Sequence, residues 1–312
     1  MMRELPGLLV MLVITLAPVA SWPADEPPPR EPSSSESVPG ELEELIYGKP
    51  EERARIAEEQ KRLSEAAKSF GTDPTAIIGY YELTYGKIAY TNGFRLDHVT
   101  AIVQVPITPN WFVRATMPYA WADPNQAGEP TTNGASDLAI RTAGRLYASE
   151  NVTLLVGGDV VFPTASNDQL GTGKYILAPG GAVAFPLPKL RSLFYTVVQD
   201  FNSVGGDPSR DNLHYLLVQP NFNTIWSERW WTNVIGTAYV DWNDNRKTTM
   251  NLQAEIGRQF DNHWNLYVRP GVGVVGRDAF LGVDWAVQAG IRWVFETPLF
   301  SEKLFKKLPK GR

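Results

Sequence analysis

The sequence predicts an all-β protein, an antiparallel transmembrane β-barrel of about 12 strands, preceded by a disordered spacer and a short helix. Three observations support this prediction. Apolar and polar residues alternate over many segments, the connections between these segments alternate between short and long, and tryptophans lie beside the connections. All three features are typical of strands that cross a bilayer as a closed barrel.

The stretch MNLQAEIGRQF, residues 250–260, shows the alternation most clearly. Its even positions are mostly apolar and its odd positions mostly polar, so a strand formed here has one face of each kind. The pattern recurs in 264–274, 284–295 and 137–146, and briefly in 219–223. The polar faces together carry Asp137, Arg141, Arg145, Gln219, Asn221, Asn223, Asn251, Gln253, Glu255, Asn265, Tyr267, Arg269, Asp284, Gln288 and Arg292.

The cost of burying charge decides which face meets which solvent. An Arg or Lys that faces the middle of a bilayer costs about 2–4 kcal/mol, and an unpaired polar group in a dry core costs a comparable amount. A wet or mutually paired interior tolerates such groups. The apolar faces are therefore predicted to meet lipid and the polar faces to line the lumen, either as a path for a small solute or as a web of ion pairs that fills the barrel.

The segments themselves cover residues 76 to 295, and the first and seventh are only weakly patterned. Short turns at 107–110, 149–151 and 261–263 alternate with longer polar loops at 123–135, 163–174 and 202–211. Short turns on one rim and long loops on the other are typical of outer-membrane barrels, and an even strand number brings both termini to the periplasmic side. The predicted strands are 76–90, 95–106, 111–122, 136–148, 152–162, 175–185, 193–201, 212–225, 230–242, 248–260, 264–275 and 281–295.

Tryptophans mark the two predicted membrane interfaces. Trp121 and Trp242 lie beside long loops. A second group lies beside short turns and consists of Trp111, Trp226, Trp230, Trp231 and Trp264. Because amphipathic rings favour both interfaces of a bilayer, this arrangement predicts two aromatic girdles.

The regions outside the barrel have distinct compositions. Residues 1–21 are predicted to be a signal peptide, since Arg3 precedes a short apolar run at 8–20. Residues 22–40 are rich in Pro, Ser and Glu and predict a flexible spacer. Residues 41–70 predict a periplasmic helical segment, and residues 296–312 a C-terminal periplasmic tail. Within the helix, Ile56, Leu63 and Phe70 recur every seven residues, which fits a contact helix, but a solvated amphipathic helix is the favoured interpretation.

Composition excludes several classes of function. The chain has no cysteine and a net charge of −5, so neither a thiol site nor binding to nucleic acid is indicated. The three histidines, His98, His214 and His263, are scattered and show no pairing with a nucleophile. No metal site, no cofactor and no enzymatic activity are therefore predicted.

The last predicted strand contains QAGIRWVF, with Gln288, Gly290, Trp293 and Phe295 at spaced positions. This pattern resembles the terminal-strand signal that the bacterial barrel-assembly machinery recognises. It departs from the usual form because residues 296–312 follow the final aromatic residue.

The stretch VVFPTASNDQLGTGKYILAPG, residues 160–180, resembles the outer-membrane transporter family named for the meta-pathway of phenol degradation. Its members carry a strand that ends in Pro-Thr, a polar loop, a Gly-x-Gly turn and a strand that opens toward Pro-Gly. The stretch 219–243 is similar to another part of the family. The matching positions of the external loop and the following strand are Pro163, Thr164, Gly171, Gly173, Lys174 beside the turn, Pro179 and Gly180.

The resemblance implies a barrel in the bacterial outer membrane, in contact with outer-membrane lipid, that carries aromatic or other hydrophobic small molecules. Two alternatives stay open. One is a plugged structural or assembly barrel whose helix at 51–69 binds a periplasmic partner. The other is an outer-membrane hydrolase.

Overall fold

The computed structural model describes residues 49–126, 129–227, 229–279 and 281–295. The predicted signal peptide (1–21), spacer (22–40) and C-terminal tail (296–312) lie outside the described residues, as does the stretch 41–48 of the predicted helical segment. Among the described residues, no helix is both long and apolar enough to cross a membrane.

One α-helix and thirteen β-strands make up the described chain. The helix, α1, covers Pro50–Phe70, and a short 3₁₀ turn covers Pro188–Leu190. The strands are β1 (Gly79–Ala89), β2 (Arg95–Thr108), β3 (Trp111–Asp123), β4 (Thr132–Ala135), β5 (Leu138–Ala148), β6 (Thr153–Phe162), β7 (Lys174–Leu187), β8 (Ser192–Gly206), β9 (His214–Ile225), β10 (Trp230–Asp241), β11 (Thr248–Gln259), β12 (Trp264–Val275) and β13 (Trp285–Phe295).

The strands form a closed antiparallel barrel. Each long strand pairs with its neighbours in sequence, and β1 pairs with β13 from Gly79 opposite Phe295 to Ala89 opposite Trp285. The short strand β4 pairs only with the end of β3, so twelve strands close the wall. The predicted twelve-stranded barrel is confirmed, and β4 is an addition that the sequence did not predict.

The two rims of the barrel differ in the length of their connections. One, the short-turn rim, carries the connections 109–110, 149–152, 188–191, 226–229 and 260–263, together with the start of β1 and the end of β13. The other, the long-loop rim, carries 90–94, 124–137, 163–173, 207–213, 242–247 and 276–284. Most of the predicted short turns and long loops lie on the expected rims. Strand β8, however, extends to Gly206, five residues beyond its predicted end.

The outer face is apolar and the inner face holds most of the polar side chains. Along β11 the exposed residues include Leu252 and Ile256, whereas Glu255 between them is only 2% exposed. On β12, Val268 is exposed while Asn265 is fully buried. This distribution inverts that of a water-soluble barrel, as the energetics of charges in hydrocarbon require.

Helix α1 begins at Pro50, where the missing N–H costs nothing, and Glu51 and Glu52 lie in its first turn. It ends at Gly71, which adopts a left-handed conformation with φ of 67°. The first half of the helix is mostly exposed, but Leu63, Ala67 and Phe70 are buried against the inside of the barrel. The favoured interpretation, a solvated amphipathic helix, therefore fits the first half of α1, whereas the second half packs as a contact helix.

We predict that Leu252→Arg destabilises the barrel by about 2–4 kcal/mol, because position 252 lies in the middle of β11 and faces lipid. Urea unfolding of protein refolded into phospholipid vesicles measures this cost. The neighbouring variant Gln253→Arg, which places the same side chain on the inner face, is the control. Equal losses of unfolding free energy in the two variants would contradict the assignment of the faces.

Candidate functional site

The interior is crossed near the short-turn rim by the chain that links α1 to β1. The inserted segment is defined here as residues 69–78, which are the last two residues of α1 and the link that follows it. It begins beside β10, where Phe70 stacks on Trp231 with ring centroids 4.7 Å apart. It passes to the opposite wall, where Ile77 is buried in a cluster that includes Phe112 of β3 and Leu155 of β6. The chain then enters β1 at Gly79. The inserted segment thus crosses the interior from β10 to the opposite wall at this end.

Polar side chains of the barrel bind the last carbonyl groups of α1. Arg292 Nη1 donates hydrogen bonds to the carbonyl oxygens of Phe70 (2.9 Å) and Gly71 (2.7 Å). Gln259 and Asn265 donate to the carbonyl oxygen of Ser69, at 3.4 and 3.3 Å. The end of a helix leaves its final carbonyls without partners and carries partial negative charge, so a guanidinium is well suited to bind it.

The rest of the inserted segment is held in the same way. Gln104 Nε2 donates to the carbonyl oxygen of Ile78 at 2.8 Å, and Arg145 Nη2 donates to that of Thr75 at 3.4 Å. The Thr72 hydroxyl donates to Asn223 Oδ1 at 3.3 Å. Much of the predicted lumen-facing set on this half of the barrel therefore binds the chain itself.

Two ion pairs support this binding. Arg292 pairs with Glu82, whose other oxygen accepts a hydrogen bond from the Tyr267 hydroxyl at 2.6 Å. On the neighbouring strands β11 and β12, Glu255 pairs with Arg269 and also accepts a hydrogen bond from Trp231 Nε1 at 2.7 Å. Each pair therefore positions a side chain that contacts the inserted segment. Arg292 donates to its carbonyl groups, and Trp231 stacks on Phe70.

These two pairs extend toward the middle of the barrel. Arg269 Nη1 donates to Gln288 Oε1 at 3.1 Å, and Gln288 lies 3.4 Å from His98 Nε2. Polar side chains of β2, β11, β12 and β13 thus form one network. Glu255 connects this network to Trp231, on which Phe70 at the end of α1 stacks.

A separate network lies on the opposite wall. Arg141 forms two hydrogen bonds of 2.7 Å to the Asp159 carboxylate, and a third, of 2.9 Å, to Gln199 Oε1. Arg114 donates twice to Gln104 Oε1, at 2.9 and 2.7 Å. The Arg141–Asp159 ion pair is tolerated in a desolvated interior far better than either charge alone.

Nearer the long-loop rim, the inner face of β8, β9 and β10 is apolar and aromatic. Phe201 stacks on Tyr215 with ring centroids 4.2 Å apart. Leu217 and Tyr239, opposite each other across the β9–β10 pair, join the same cluster. These four side chains are half-buried, so they line the interior without being sealed in a core. The sequence did not single them out.

The loop 163–173 folds against the inside of the long-loop rim, where Leu170 packs on Ala120 and Ala122 of β3. Asp137 holds it by accepting hydrogen bonds from the backbone N–H groups of Ala165 (3.1 Å) and Thr172 (2.6 Å). Asp137 was predicted to face the lumen from a strand, but it directly precedes β5. Its carboxylate anchors the loop through these hydrogen bonds and does not line an open path.

The loop residues of the family resemblance have local structural roles. The Thr164 hydroxyl accepts a hydrogen bond from the backbone N–H of Leu138 at 2.9 Å. A side chain on Gly171 would overlap Ala165 and Asp137, and Gly173 has a φ of +68°. Lys174 is buried at the start of β7, and Pro163 directly follows β6.

The remaining predicted residues lie on the interior or at a rim. Gln219 Nε2 donates to the Thr237 hydroxyl at 3.2 Å, and Asn251 Nδ2 donates to the carbonyl oxygen of Leu281 at 3.0 Å. Asn221 is buried beside Asn233, and Gln253 is half-buried. Asp284 was predicted to face the lumen from a strand, but it precedes β13 and pairs with Arg277 at the long-loop rim.

Residues of the proposed assembly signal lie in β13, which closes the barrel. On the outer face Trp293 stacks on Tyr81 of β1 with ring centroids 5.7 Å apart, and the tilted ring of Phe295 lies 5.5 Å from that of Tyr81. Gly290 leaves room for the ring of Tyr267, which a Cβ would overlap.

Several interior residues escaped the sequence analysis. Asp159 lies opposite Arg141 in the β5–β6 register, so a prediction of strand register would have found it. Glu82 lies in the weakly patterned first segment. The charged and amide side chains that were missed include Glu82, Gln104, Arg114, Asp159, Gln199, Asn233 and Gln259.

The histidines form no cluster with other ligands. His98 is buried beside Gln288, His214 lies 3.4 Å from Asp200, and His263 Nδ1 lies 2.9 Å from the carbonyl oxygen of Val294. Within the described part of the chain, no group of three or more His, Cys, Asp or Glu residues is placed to hold a metal ion.

Asp73 is an acidic group within the inserted segment itself. Burial raises the pKa of its carboxyl above the ordinary value. Hydrogen bonds from the Thr75 N–H (2.8 Å) and hydroxyl (2.6 Å), together with the charge of Arg145, oppose this rise in pKa. The hydrogen bonds of the Asp73 carboxylate therefore stabilise the local turn, whereas burial of its negative charge is unfavourable.

Comparison with known proteins identifies the class of fold. No family model matches the chain, and no curated protein matches it. Among solved structures, an outer membrane channel from Pseudomonas putida F1 is 14% identical, with a TM-score of 0.52, and the match covers 70% of this chain and 94% of that one. The fold is that of a twelve-stranded outer-membrane β-barrel.

Two porins are similar at a lower level. The NanC porin is 12% identical with a TM-score of 0.49, covering 70% of this chain and 99% of that one. The KdgM porin, in a complex with disordered oligogalacturonate, is 7% identical with a TM-score of 0.47, covering 70% of this chain and 99% of that one.

We predict that Arg292→Met destabilises the protein by about 3–5 kcal/mol, because it leaves the buried Glu82 carboxylate without its partner. Removing both charges, in Arg292→Met with Glu82→Gln, is expected to restore at least half of this loss. Equilibrium unfolding in vesicles measures both variants. A double variant as unstable as the single one would show that the ion pair is not the cause.

Proposed function

We propose that the protein is a non-catalytic outer-membrane channel for small aromatic or other apolar molecules, closed at one end by its own inserted segment. The observation that carries the proposal is the division of the interior. One end has an aromatic and apolar wall, and the other is crossed by a segment that belongs to no strand and contacts opposite walls.

The wall near the long-loop rim supports the class of solute. Phe201, Tyr215, Leu217 and Tyr239 present apolar surface and aromatic rings to the interior. Such surfaces bind apolar molecules through burial and ring stacking, with a hydroxyl at hand for orientation. A polar solute would gain little from this wall.

The inserted segment is suited to move because the barrel does not depend on it for its backbone hydrogen bonds. Every strand of the wall pairs with strands on both sides. The segment is held by side-chain hydrogen bonds and by the packing of Phe70 and Ile77. Water can replace those hydrogen bonds on release, so each neutral donor contributes only about 0.5–1.5 kcal/mol to closure and each arginine donor about 1.5–3 kcal/mol.

The orientation follows from the layout of the rims. We place the short-turn rim, and with it both termini and α1, on the periplasmic side, because outer-membrane barrels have short periplasmic turns and longer external loops. Outer-membrane lipid then surrounds the barrel, and the barrel-assembly machinery is the partner for the pattern in β13. The closure acts at the periplasmic exit.

A plugged barrel that serves as a scaffold is the alternative, because the same segment crosses the interior. The exposed first half of α1, residues 50–62, then binds a periplasmic partner. The two functions differ in what happens when the inserted segment is loosened, since only a channel gains permeability.

We predict that Phe70→Ala raises the open probability of the protein in planar bilayers by at least about tenfold. Phe70 is fully buried and stacked on Trp231, and loss of a buried Phe side chain costs about 3–5 kcal/mol. Single-channel recording of the refolded chain measures the open probability. Lys61→Ala, on the exposed side of the same helix, is the matched control.

The outcomes separate the two functions. A channel shows rare openings in the unchanged protein and frequent ones in Phe70→Ala. A sealed scaffold shows no channel openings in either protein, although Phe70→Ala makes the inserted segment more sensitive to proteolysis. That second result would refute the channel.

We predict that the paired change Phe201→Ser with Tyr215→Ser lowers the preference for aromatic solutes. Removing the stacked rings eliminates most of the aromatic surface at this point of the interior. Uptake into liposomes of an aromatic solute that does not cross lipid unaided, such as benzenesulfonate, is expected to fall severalfold relative to uptake of a small sugar. Both assays are run in the Phe70→Ala background. The outward-facing change Phe222→Ser is the control, and an unchanged ratio of the two rates would refute the apolar path.

A further inference from the structure

The outer surface of the barrel carries a groove of about 610 Å³ near the short-turn rim. Two parallel rows of outward side chains form its walls. Trp230, Arg258, Leu266, Ile291 and Leu83 form one row across β10 to β1, each opposite the next in the strand register. Ile256, Val268, Ala289 and Tyr85 form the other row.

The floor of the groove has no outward-pointing side chains. Thr84, Tyr267, Gly257 and Gly290 lie between the two rows and face the interior. Neither glycine can be replaced by a larger residue without a clash, since Trp231 and Tyr267 occupy the space on the inner side.

The groove descends into the bilayer from a single charged residue. Arg258 is the second-to-last residue of β11, next to the rim, whereas Leu83 is the fifth residue of β1 and lies deeper. Five strands at a spacing of about 4.8 Å make the groove roughly 19 Å long. One leaflet of hydrocarbon is about 15 Å thick, so an acyl chain laid obliquely fits this length.

Arg258 supplies the charge that a phosphate would bind. Its guanidinium lies 5.2 Å from the ring of Trp230 and 5.3 Å from that of Phe260. Among the described residues, no carboxylate forms an ion pair with it. A guanidinium at this depth, held between two rings and facing lipid, is complementary to a phosphodiester at the level of the headgroups.

We propose that this groove is a binding site for one phospholipid, with the phosphate on Arg258 and an acyl chain along the groove. The site lies on the outside of the barrel and does not depend on the proposed channel function.

Native mass spectrometry of the detergent-purified full chain, titrated with palmitoyl-oleoyl-phosphatidylglycerol, tests the site. Arg258→Gln is expected to weaken binding of the first lipid by about tenfold, as loss of a hydrogen bond to a charged group does. Ala289→Leu fills the groove, keeps the charge and is expected to weaken binding by a similar factor. The unchanged protein is expected to prefer phosphatidylglycerol to a diacylglycerol with the same chains.

Matched controls separate this site from general adhesion of lipid. Arg95→Gln changes an exposed arginine at the other rim, and Ala115→Leu enlarges an alanine on the outer face of β3. Both are expected to bind as the unchanged protein does. Affinities within twofold of each other for all five proteins, or equal binding of the diacylglycerol, would overturn the proposal.

Discussion

In hydrocarbon, a backbone N–H or C=O group without a partner costs several kcal/mol, and this requirement shapes the whole molecule. Closure of β1 onto β13 satisfies the last free edge of the sheet, from Gly79 opposite Phe295 to Ala89 opposite Trp285. Closure also forces side chains to alternate between lipid and interior. The apolar outer face and the charged inner face are consequences of the same constraint.

The same requirement explains how an irregular segment can lie inside the barrel. Residues 69–78 have no strand partners, yet the carbonyl groups of Ser69, Phe70, Gly71, Thr75 and Ile78 all accept hydrogen bonds from inner-face side chains. These side chains replace water around the segment. Their own charges are matched in turn, as Arg292 is by Glu82. An interior polar set can therefore bind the chain's own backbone, a role that the alternation of residues alone does not reveal.

The sequence predicted the parts of the fold where the inner and outer faces differ in polarity. In β11 and β12 an apolar outer face meets a polar inner face, and the predicted strands are correct to within one or two residues. In β8 the inner residues Tyr195 and Phe201 are as apolar as the outer Phe194 and Val198, so alternation disappears. The weak pattern there was itself a sign of an apolar interior. Asp159 and Glu82 were missed because their partners lie across strands, and period-two reasoning carries no information on register.

Whether the closure can open depends on opposing terms of similar size. Release of the inserted segment exchanges its hydrogen bonds for bonds to water, at a net cost of about 0.5–1.5 kcal/mol for each neutral donor and about 1.5–3 kcal/mol for each arginine donor. It also returns backbone freedom of about 1–2 kcal/mol per residue. These two contributions largely cancel along an irregular segment. The balance is then set by the buried apolar groups, chiefly Phe70 on Trp231 and Ile77 among Phe112 and Leu155. An apolar solute that competes for these same surfaces would favour the open state, because a ligand shifts an equilibrium by its differential affinity for the two states.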